Sequence, residues 1–107
     1  IYNTANAQAA AANITGFSFS NSVVRAFDAI VSVTILTTDN TNKYSYYNLK
    51  GVQKSGNWVV NSSYVGDATG YTFSVTNSGQ IQYTSTSVGN YSSSYVSFRA
   101  LTTSILS

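Results

Sequence analysis

The sequence predicts an all-β domain: an antiparallel β-sandwich, jelly-roll or Greek-key like, of about 6–8 strands with a short N-terminal arm. Three observations support this prediction. From Phe17 onward, apolar residues recur with a period of two, as in a strand with one buried face. Clusters of Gly, Asn, Asp, Ser and Thr interrupt that pattern at short intervals. The length of 107 residues suits one domain with a modest core.

Residues 1–13 differ from the rest because they are rich in Ala and Asn and carry no charged side chain. Intrinsic propensity favours a short helix here, although so short a helix is marginal in water. We expect an arm that serves as a linker or as a contact between subunits, with Ala9, Ala10 and Ala11 as contact residues. A frayed terminus is the alternative. Residues 14–107 then form the β-sandwich domain.

The first long strand is predicted over residues 23–35. Odd-numbered positions from Phe27 to Ile35 are all apolar, whereas the even-numbered positions between them mix apolar, polar and charged residues. We therefore expect the odd-numbered face to be buried. Asp28 lies on the mixed face, where it is able to pair with a Lys or Arg across the sheet. Because a strand this long usually bends or carries a bulge, an irregularity is expected near Arg25 to Asp28.

A turn at residues 38–42 follows, since its Thr, Asp and Asn side chains readily hydrogen-bond to their own backbone. The next strand is predicted over residues 43–53 and is rich in tyrosine. Breaks at residues 55–57 and 66–70 then enclose a shorter strand with Trp58 on it.

The clearest hairpin signal lies further along the chain. Tyr71, Phe73 and Val75 alternate with polar residues before Asn77-Ser78-Gly79, and the alternation resumes after it. A three-residue connection that ends in Gly is typical of a hairpin with a left-handed residue at that position. Residues 84–94 are rich in Ser, Thr, Gly and Asn and are expected to form a long exposed loop. A last strand is predicted over residues 95–101.

The core needs tyrosines, because Val, Ile, Leu and Phe together number only 26. Each buried tyrosine must keep its hydroxyl on a partner or at the rim of the core. A sandwich with so few aliphatic residues suits an oligomer whose aromatic surfaces are buried between copies. Tyr46 and Tyr47 are consecutive and must face opposite sides, so at least one belongs to the core or an interface. Tyr47 is the residue we expect at a contact between copies.

Composition excludes most catalytic and metal chemistry. The chain contains no His, Cys or Glu, so a Ser–His–Asp triad, a Cys–His pair and a zinc site are excluded. Asp39 and Asp67 lie in predicted turns, where their carboxylates act as turn formers. We therefore predict no enzymatic activity, no cofactor and no metal site. A calcium ion bound in one of these two turns is the alternative.

Charge and hydropathy exclude two further partners. Five Lys and Arg against three Asp give a net charge of +2, and the basic residues are scattered along the chain. Binding to nucleic acid needs several cations on one face, so we expect none. No apolar run approaches the roughly 20 residues of a membrane helix, so we expect no membrane insertion. Because Met is absent, we expect a processed product or a part of a longer protein.

Tyrosines among small hydroxylated residues are the positive functional signal. Tyr91 and Tyr95 flank three serines, and Tyr44 and Tyr46 lie on the tyrosine-rich strand. Rigid aromatic rings next to small hydroxyls are typical of adaptable contact surfaces. Such surfaces also suit sugars, which stack on rings and hydrogen-bond to neutral side chains. These four tyrosines are therefore the candidate ligand contacts, although packing between subunits is the interpretation that we favour for tyrosines of this kind.

Several segments, taken in order, carry a resemblance to a known family. They read NAQ (6–8), NITG (13–16), FDAIVSV (27–33), LKGVQ (49–53), VGD (65–67), FSVTNSGQIQYTS (73–85) and VSFRA (96–100). Together they resemble the short C-terminal β domains of tailed-bacteriophage virion proteins, which are structural, tail or fibre proteins. The resemblance extends over most of the chain.

This resemblance implies an extracellular β module on the virion surface, displayed on fibres, tail parts or as capsid decoration and commonly a homotrimer. Its partners would be other copies of itself and other virion proteins. The family supplies no catalytic residues. A receptor-binding fibre tip that recognises a host cell-surface glycan is the alternative function, and a bacterial surface adhesin domain is a further one.

Overall fold

The structure, a computed structural model, describes residues 1–105. Within this range it contains strands and no helix, which confirms the predicted all-β fold and the predicted number of strands. The strands are β1 (Tyr2–Thr4), β2 (Ala12–Ser18), β3 (Val24–Thr37), β4 (Lys43–Lys54), β5 (Asn57–Gly66), β6 (Thr72–Val75), β7 (Gln80–Thr84) and β8 (Tyr91–Ser104). Across the described residues no helix is long and apolar enough to cross a membrane.

The strands form two antiparallel sheets, as expected of a β-sandwich. One sheet has five strands in the order β1-β8-β3-β4-β5, and the other has three in the order β2-β7-β6. The chain passes between the sheets at the β1–β2, β2–β3, β5–β6 and β7–β8 connections. The five-stranded sheet is wider than the three-stranded sheet that packs against it. Residues 61–66, at the end of β5, are therefore exposed on both faces.

The core lies between the sheets and follows the predicted alternation. Odd-numbered residues of β3 form its centre, and they are Phe27, Ala29, Val31, Val33 and Ile35. They share one cluster with side chains of the smaller sheet, including Ile14, Phe73 and Ile81. Burial of one such large side chain contributes about 1.5–3 kcal/mol to folding, so this alternation decides which face of β3 turns inward.

Tyrosines fill the rest of the core, as predicted, and their hydroxyls have partners. Tyr47, Tyr71 and Tyr83 are buried. The Tyr47 hydroxyl donates to the Tyr71 carbonyl oxygen at 3.2 Å, and the Tyr83 hydroxyl accepts from the backbone N–H of Ala5 at 3.0 Å. The Tyr71 hydroxyl hydrogen-bonds to Thr4, and burial raises the pKa of this phenol. The hydrogen bonds satisfy the polar end of each ring.

Tyr47, the residue expected at a contact between copies, instead lies in the core of the single chain. The side chain is only 5% exposed in the single chain. Its ring packs edge-on against Phe73, with centroids 5.0 Å apart. The inward position follows from the alternation along β4, where Ser45, Tyr47 and Leu49 all face the core.

The predicted turns and the predicted irregularity are present. Pairing of β3 with β8 shifts register between Val24 and Ala26, so Arg25 is the extra residue of a bulge. In the turn before β4, the backbone N–H of Thr41 donates to Asp39 at 3.3 Å. Gly79 has a φ of 85° in the β6–β7 connection, which confirms the left-handed residue of that hairpin.

The short helix favoured by the Ala-rich N-terminus does not form. Tyr2–Thr4 instead pairs with β8 as an edge strand. The residues after it are held by Ser85, whose hydroxyl donates to the Ala5 carbonyl at 2.6 Å and accepts from the Gln8 N–H at 2.9 Å. Helix propensity in so short a segment is outweighed by these tertiary hydrogen bonds. Residues 1–13 thus contribute β1 and the start of β2 to the sandwich.

The long loop predicted over residues 84–94 is shorter than expected, because β8 already begins at Tyr91. Richness in Ser indicated exposure, yet Ser94 is buried. Its hydroxyl hydrogen-bonds to the Thr4 hydroxyl and to the Tyr91 hydroxyl, at 2.8 Å each. Small hydroxylated residues therefore continue the strand inside the sheet by bonding to one another.

Candidate functional site

The outer face is the surface of the five-stranded sheet that is turned away from the three-stranded sheet. Cross-strand register places its side chains in rows that run from β8 through β3 and β4 to β5. The rows are Tyr95–Thr34–Tyr44, Ser97–Ser32–Tyr46–Val65, Arg99–Ile30–Asn48–Ser63, Leu101–Asp28–Lys50–Asn61 and Thr103–Ala26–Val52–Val59. Adjacent members of a row lie about 5 Å apart and are able to bind one ligand or partner together.

Large apolar and aromatic side chains are exposed on the outer face. Their exposed fractions run from 44% to 79%, and they are Tyr44, Tyr46, Val52, Val59, Val65 and Leu101. Val52 and Val59 are direct cross-strand neighbours, as are Tyr46 and Val65. Exposed apolar residues that cluster in this way mark interaction surfaces more often than singly scattered ones do.

A groove of about 410 Å³ crosses the middle rows of the outer face. Its lining combines a phenol, a carboxylate, an amide and a guanidinium with apolar side chains: Asp28, Ile30, Tyr46, Asn48, Arg99, Ala100 and Leu101. The Asn48 side-chain N–H donates to Asp28 Oδ1 at 2.9 Å, and so holds an exposed carboxylate in the groove. Lys50 is the cross-strand neighbour of Asp28, but this hydrogen bond comes from the amide of Asn48.

The structure brings three of the four predicted ligand-binding tyrosines onto this face. Tyr44 and Tyr95 flank Thr34 from either side of β3, which separates them by about 10 Å. Tyr46 lies two positions along β4 from Tyr44, on the same face. A ligand that lies across the rows of Tyr44, Tyr46 and Tyr95 would contact all three rings.

Tyr91, the fourth tyrosine, does not join them. Its hydroxyl donates to the Thr4 carbonyl at 3.3 Å, and its half-buried ring packs against the core cluster. The sequence predicted Tyr91 in a loop that ends just before Tyr95, whereas both residues lie on strand β8. In the structure Tyr91 ties β1 to β8.

Ala9, Ala10 and Ala11, the other predicted oligomer contacts, are exposed. They lie in the connection between β1 and β2, where the Gln8 side-chain N–H donates to the Ala10 carbonyl at 2.8 Å. Their small side chains are accessible to a partner, so their role in contacts between copies stays a prediction.

The two turn carboxylates are engaged in local hydrogen bonds. Asp39 Oδ1 accepts from the Thr41 hydroxyl at 2.6 Å, and this bond, followed by one from Thr37, lowers the pKa of Asp39. Asp67 Oδ2 accepts from the backbone N–H of Tyr44 at 2.9 Å and closes the end of the β4–β5 pair. Among residues 1–105, no group of three His, Cys, Asp or Glu side chains is placed to hold a metal ion.

Sequence reasoning missed Asn48 and Arg99 as lining residues of the groove. A period of two places Tyr46 and Asn48 on one face, and that signal was present in the sequence. The alignment of Arg99 with Ile30 and Asn48 depends on the pairing of β8 with β3, which joins residues far apart in the chain.

Comparison with protein-family models, curated proteins and solved structures finds no match to this chain.

Proposed function

We propose that the protein is a structural β-sandwich module on the surface of a bacteriophage virion, where it works through contacts with copies of itself and with other virion proteins. The observation that carries this proposal is the set of exposed apolar and aromatic side chains on the outer face. The resemblance of residues 27–33, 73–85 and 96–100 to phage virion domains supports the viral setting. A homotrimer is the assembly that this resemblance favours.

The chemistry of the outer face suits burial against another protein. Most of its polar residues are uncharged Ser, Thr and Asn, so few ions lose their water in a contact. Each apolar Å² removed from water contributes about 25 cal/mol. Burial of side chains such as Val59 and Leu101 therefore favours association, although ordering of the partners offsets part of this gain.

The proposal is tested by locating the chain on intact particles. We expect antibodies raised against the purified protein to label the particle surface in electron micrographs, at regular positions on fibre, tail or capsid. A concentration of about 100 µM lies in the range of ordinary protein–protein affinities. At this concentration, light scattering of the purified chain should give a mass above that of one chain. Unlabelled particles, or a monomer at that concentration, would contradict the proposal.

Recognition of a host glycan is the second candidate function, and the groove on the outer face favours it. Sugars stack on aromatic rings, donate hydrogen bonds to carboxylates and amide oxygens, and accept hydrogen bonds from amide and guanidinium N–H groups. Tyr46, Asp28, Asn48 and Arg99 place these groups around one opening. The held carboxylate of Asp28 is preorganised to bind sugar hydroxyls, because Asn48 already fixes one of its oxygens.

Under this second candidate, Tyr46→Ala is expected to weaken binding to host cells or to an immobilised host polysaccharide by about tenfold, a loss of about 1.4 kcal/mol. Tyr64→Ala is the matched control, since Tyr64 is also an exposed tyrosine but does not line the groove. Circular dichroism confirms that both variants fold. Equal binding by the two variants would remove the groove from consideration.

A further inference from the structure

Strand β5 is an open edge of the five-stranded sheet. It runs over ten residues, Asn57–Gly66, and pairs on one side only, with β4. Natural proteins usually protect such edges with a charged residue, a Pro, a bulge or a short length. β5 has no charged residue and no Pro, and its pairing with β4 runs without a register shift. This edge is therefore open to pairing with another strand.

The other sheet edges within residues 1–105 are protected. β1 and β6 are short, with three and four residues. β2 has an irregular register against β7. β8 is covered by β1 over residues 94–96 and carries Arg99 beyond that point. β5 is thus the longest edge without such a device.

The backbone groups that face outward from β5 follow from its hairpin with β4. Ser55 and Gly56 both have positive φ, 53° and 81°, as in a two-residue type I′ turn. Lys54 and Asn57 flank this turn and form a hydrogen-bonded pair, so odd-numbered residues of β5 bond to β4. At the other end of the hairpin, the N–H of Asp67 donates to the Tyr44 carbonyl at 2.9 Å. Residue 67 is also odd-numbered, so this bond fits the same alternation.

Even-numbered residues of β5 therefore direct their N–H and C=O groups away from the sheet. A strand added at this edge must hydrogen-bond to Val60, Ser62 and Tyr64. For two copies of β5 related by a two-fold axis, the residue numbers of each bonded pair must then both be even. This condition leaves only a few registers.

We propose, as a deepening of the self-association proposed above, that β5 pairs antiparallel with β5 of a second copy, with Ser62 on the two-fold axis. This register places Val60 opposite Tyr64 on the inner face. On the outer face it places Val59 opposite Val65. Apolar residues then meet apolar residues, and Asn61 meets Ser63.

Neighbouring registers lack this complementarity. With Asn61 on the axis, two valines would face serines, since Val59 would lie opposite Ser63 and Val60 opposite Ser62. With Ser63 on the axis, Ser62 would face Tyr64. Apolar side chains that face each other across two strands stabilise the pairing, so the register centred on Ser62 is preferred.

A second copy of the chain suits this edge better than a foreign strand does. Near a two-fold axis, any charged residue meets its own copy and repels it, and β5 has no charged residue to do so. The valines and the tyrosine of β5 complement each other in the antiparallel arrangement. About six main-chain hydrogen bonds would join Val60, Ser62 and Tyr64 to their partners.

The contact joins two five-stranded sheets into one continuous sheet, so the outer face extends across two copies. In isolated chains, the β5–β5 contact forms a dimer. If the chains are already part of larger assemblies, the same contact joins one chain of one assembly to one chain of another. A strand pair buries less area than the ~1,600 Å² of a standard interface. We therefore expect a weak contact in the isolated chain, for which covalent trapping is the appropriate measurement.

Trapping is clean because the chain contains no Cys. Under mild oxidation, Ser62→Cys is expected to form a disulfide-linked dimer at least about tenfold faster than Ser63→Cys, since directly opposed Cα atoms lie about 5.5 Å apart, within disulfide reach. Ser63 is the matched control, as it is an exposed serine on the same strand. In the proposed register its two copies lie diagonally, beyond the ~7 Å limit for a disulfide.

Equal rates for the two variants, or fastest cross-linking by Asn61→Cys, would overturn the proposed register. As a second test, Ser62→Lys should lower the average mass in light scattering at high concentration, whereas Ser74→Lys, at an exposed serine on β6, should not. An unchanged mass for Ser62→Lys overturns the edge contact. If the wild-type chain is nevertheless oligomeric, self-association stands without this contact, and if it is monomeric, both proposals fail.

Discussion

Phe27→Ala is expected to lower the free energy of unfolding by about 3–5 kcal/mol. The Phe27 ring is 4% exposed and stacks on Phe19, with centroids 4.3 Å apart. It also packs against Trp58 at 5.6 Å. Gly51, the cross-strand neighbour of Phe27, has no side chain with which to fill the space left by the ring. A cavity between two sheets of fixed spacing therefore persists, and its cost adds to the lost burial.

Urea unfolding followed by far-ultraviolet circular dichroism measures this loss. Fluorescence of Trp58 is a poor probe here, because its surroundings change with the substitution itself. Val52→Ala is the control, since Val52 lies beside Gly51 on β4 but is half exposed on the outer face, and should change stability by less than about 1 kcal/mol. Domains are stable by about 5–15 kcal/mol, so the Phe27 variant should unfold at much lower urea. Similar midpoints for the two variants would contradict this account.

Gly51 shows why part of the core was predictable and part was not. The sequence indicates that Phe27 faces inward, because the period of two in β3 is unbroken. It does not indicate that Gly51 must stay small. A Cβ at Gly51 would lie 2.4 Å from Phe27 Cε2, and that approach exists only because β4 pairs with β3 in this register. The period of apolar residues is visible in the consecutive residues of one strand, whereas the register depends on how two strands pair.

Tyr47 and Tyr91 illustrate the same limit at the candidate site. Both were expected to face a partner or ligand, because tyrosines near serines are typical of contact surfaces. In the structure both hydroxyls find partners inside the chain, at the Tyr71 and Thr4 carbonyls. The partners lie 24 and 87 residues away along the sequence. Tyr44 and Tyr46 alternate with the buried Ser45 and Tyr47, so they lie on the exposed side of β4, and their contact with a ligand stays a prediction.

Gly79→Ala is expected to destabilise the fold by about 2–4 kcal/mol, and two causes contribute to this loss. Gly79 has a φ of 85°, a conformation that costs a residue with a Cβ about 1–2 kcal/mol. In addition, a Cβ there would lie 2.0 Å from the Phe19 carbonyl oxygen, which belongs to the backbone after β2. Relief of that clash requires the hairpin to move, and this movement breaks the bond from the Phe19 N–H to the Gly79 carbonyl at 2.8 Å.

Gly16→Ala separates these two causes. Gly16 has the same φ of 85°, but no atom lies within 4 Å of a Cβ added there. Its substitution should therefore cost only the conformational strain of about 1–2 kcal/mol. Urea unfolding of both variants then measures the contact between Gly79 and Phe19 as the difference between them. If the two losses are equal, the hairpin moves away from Phe19 freely, and the bond between these two residues contributes little to the attachment of β2.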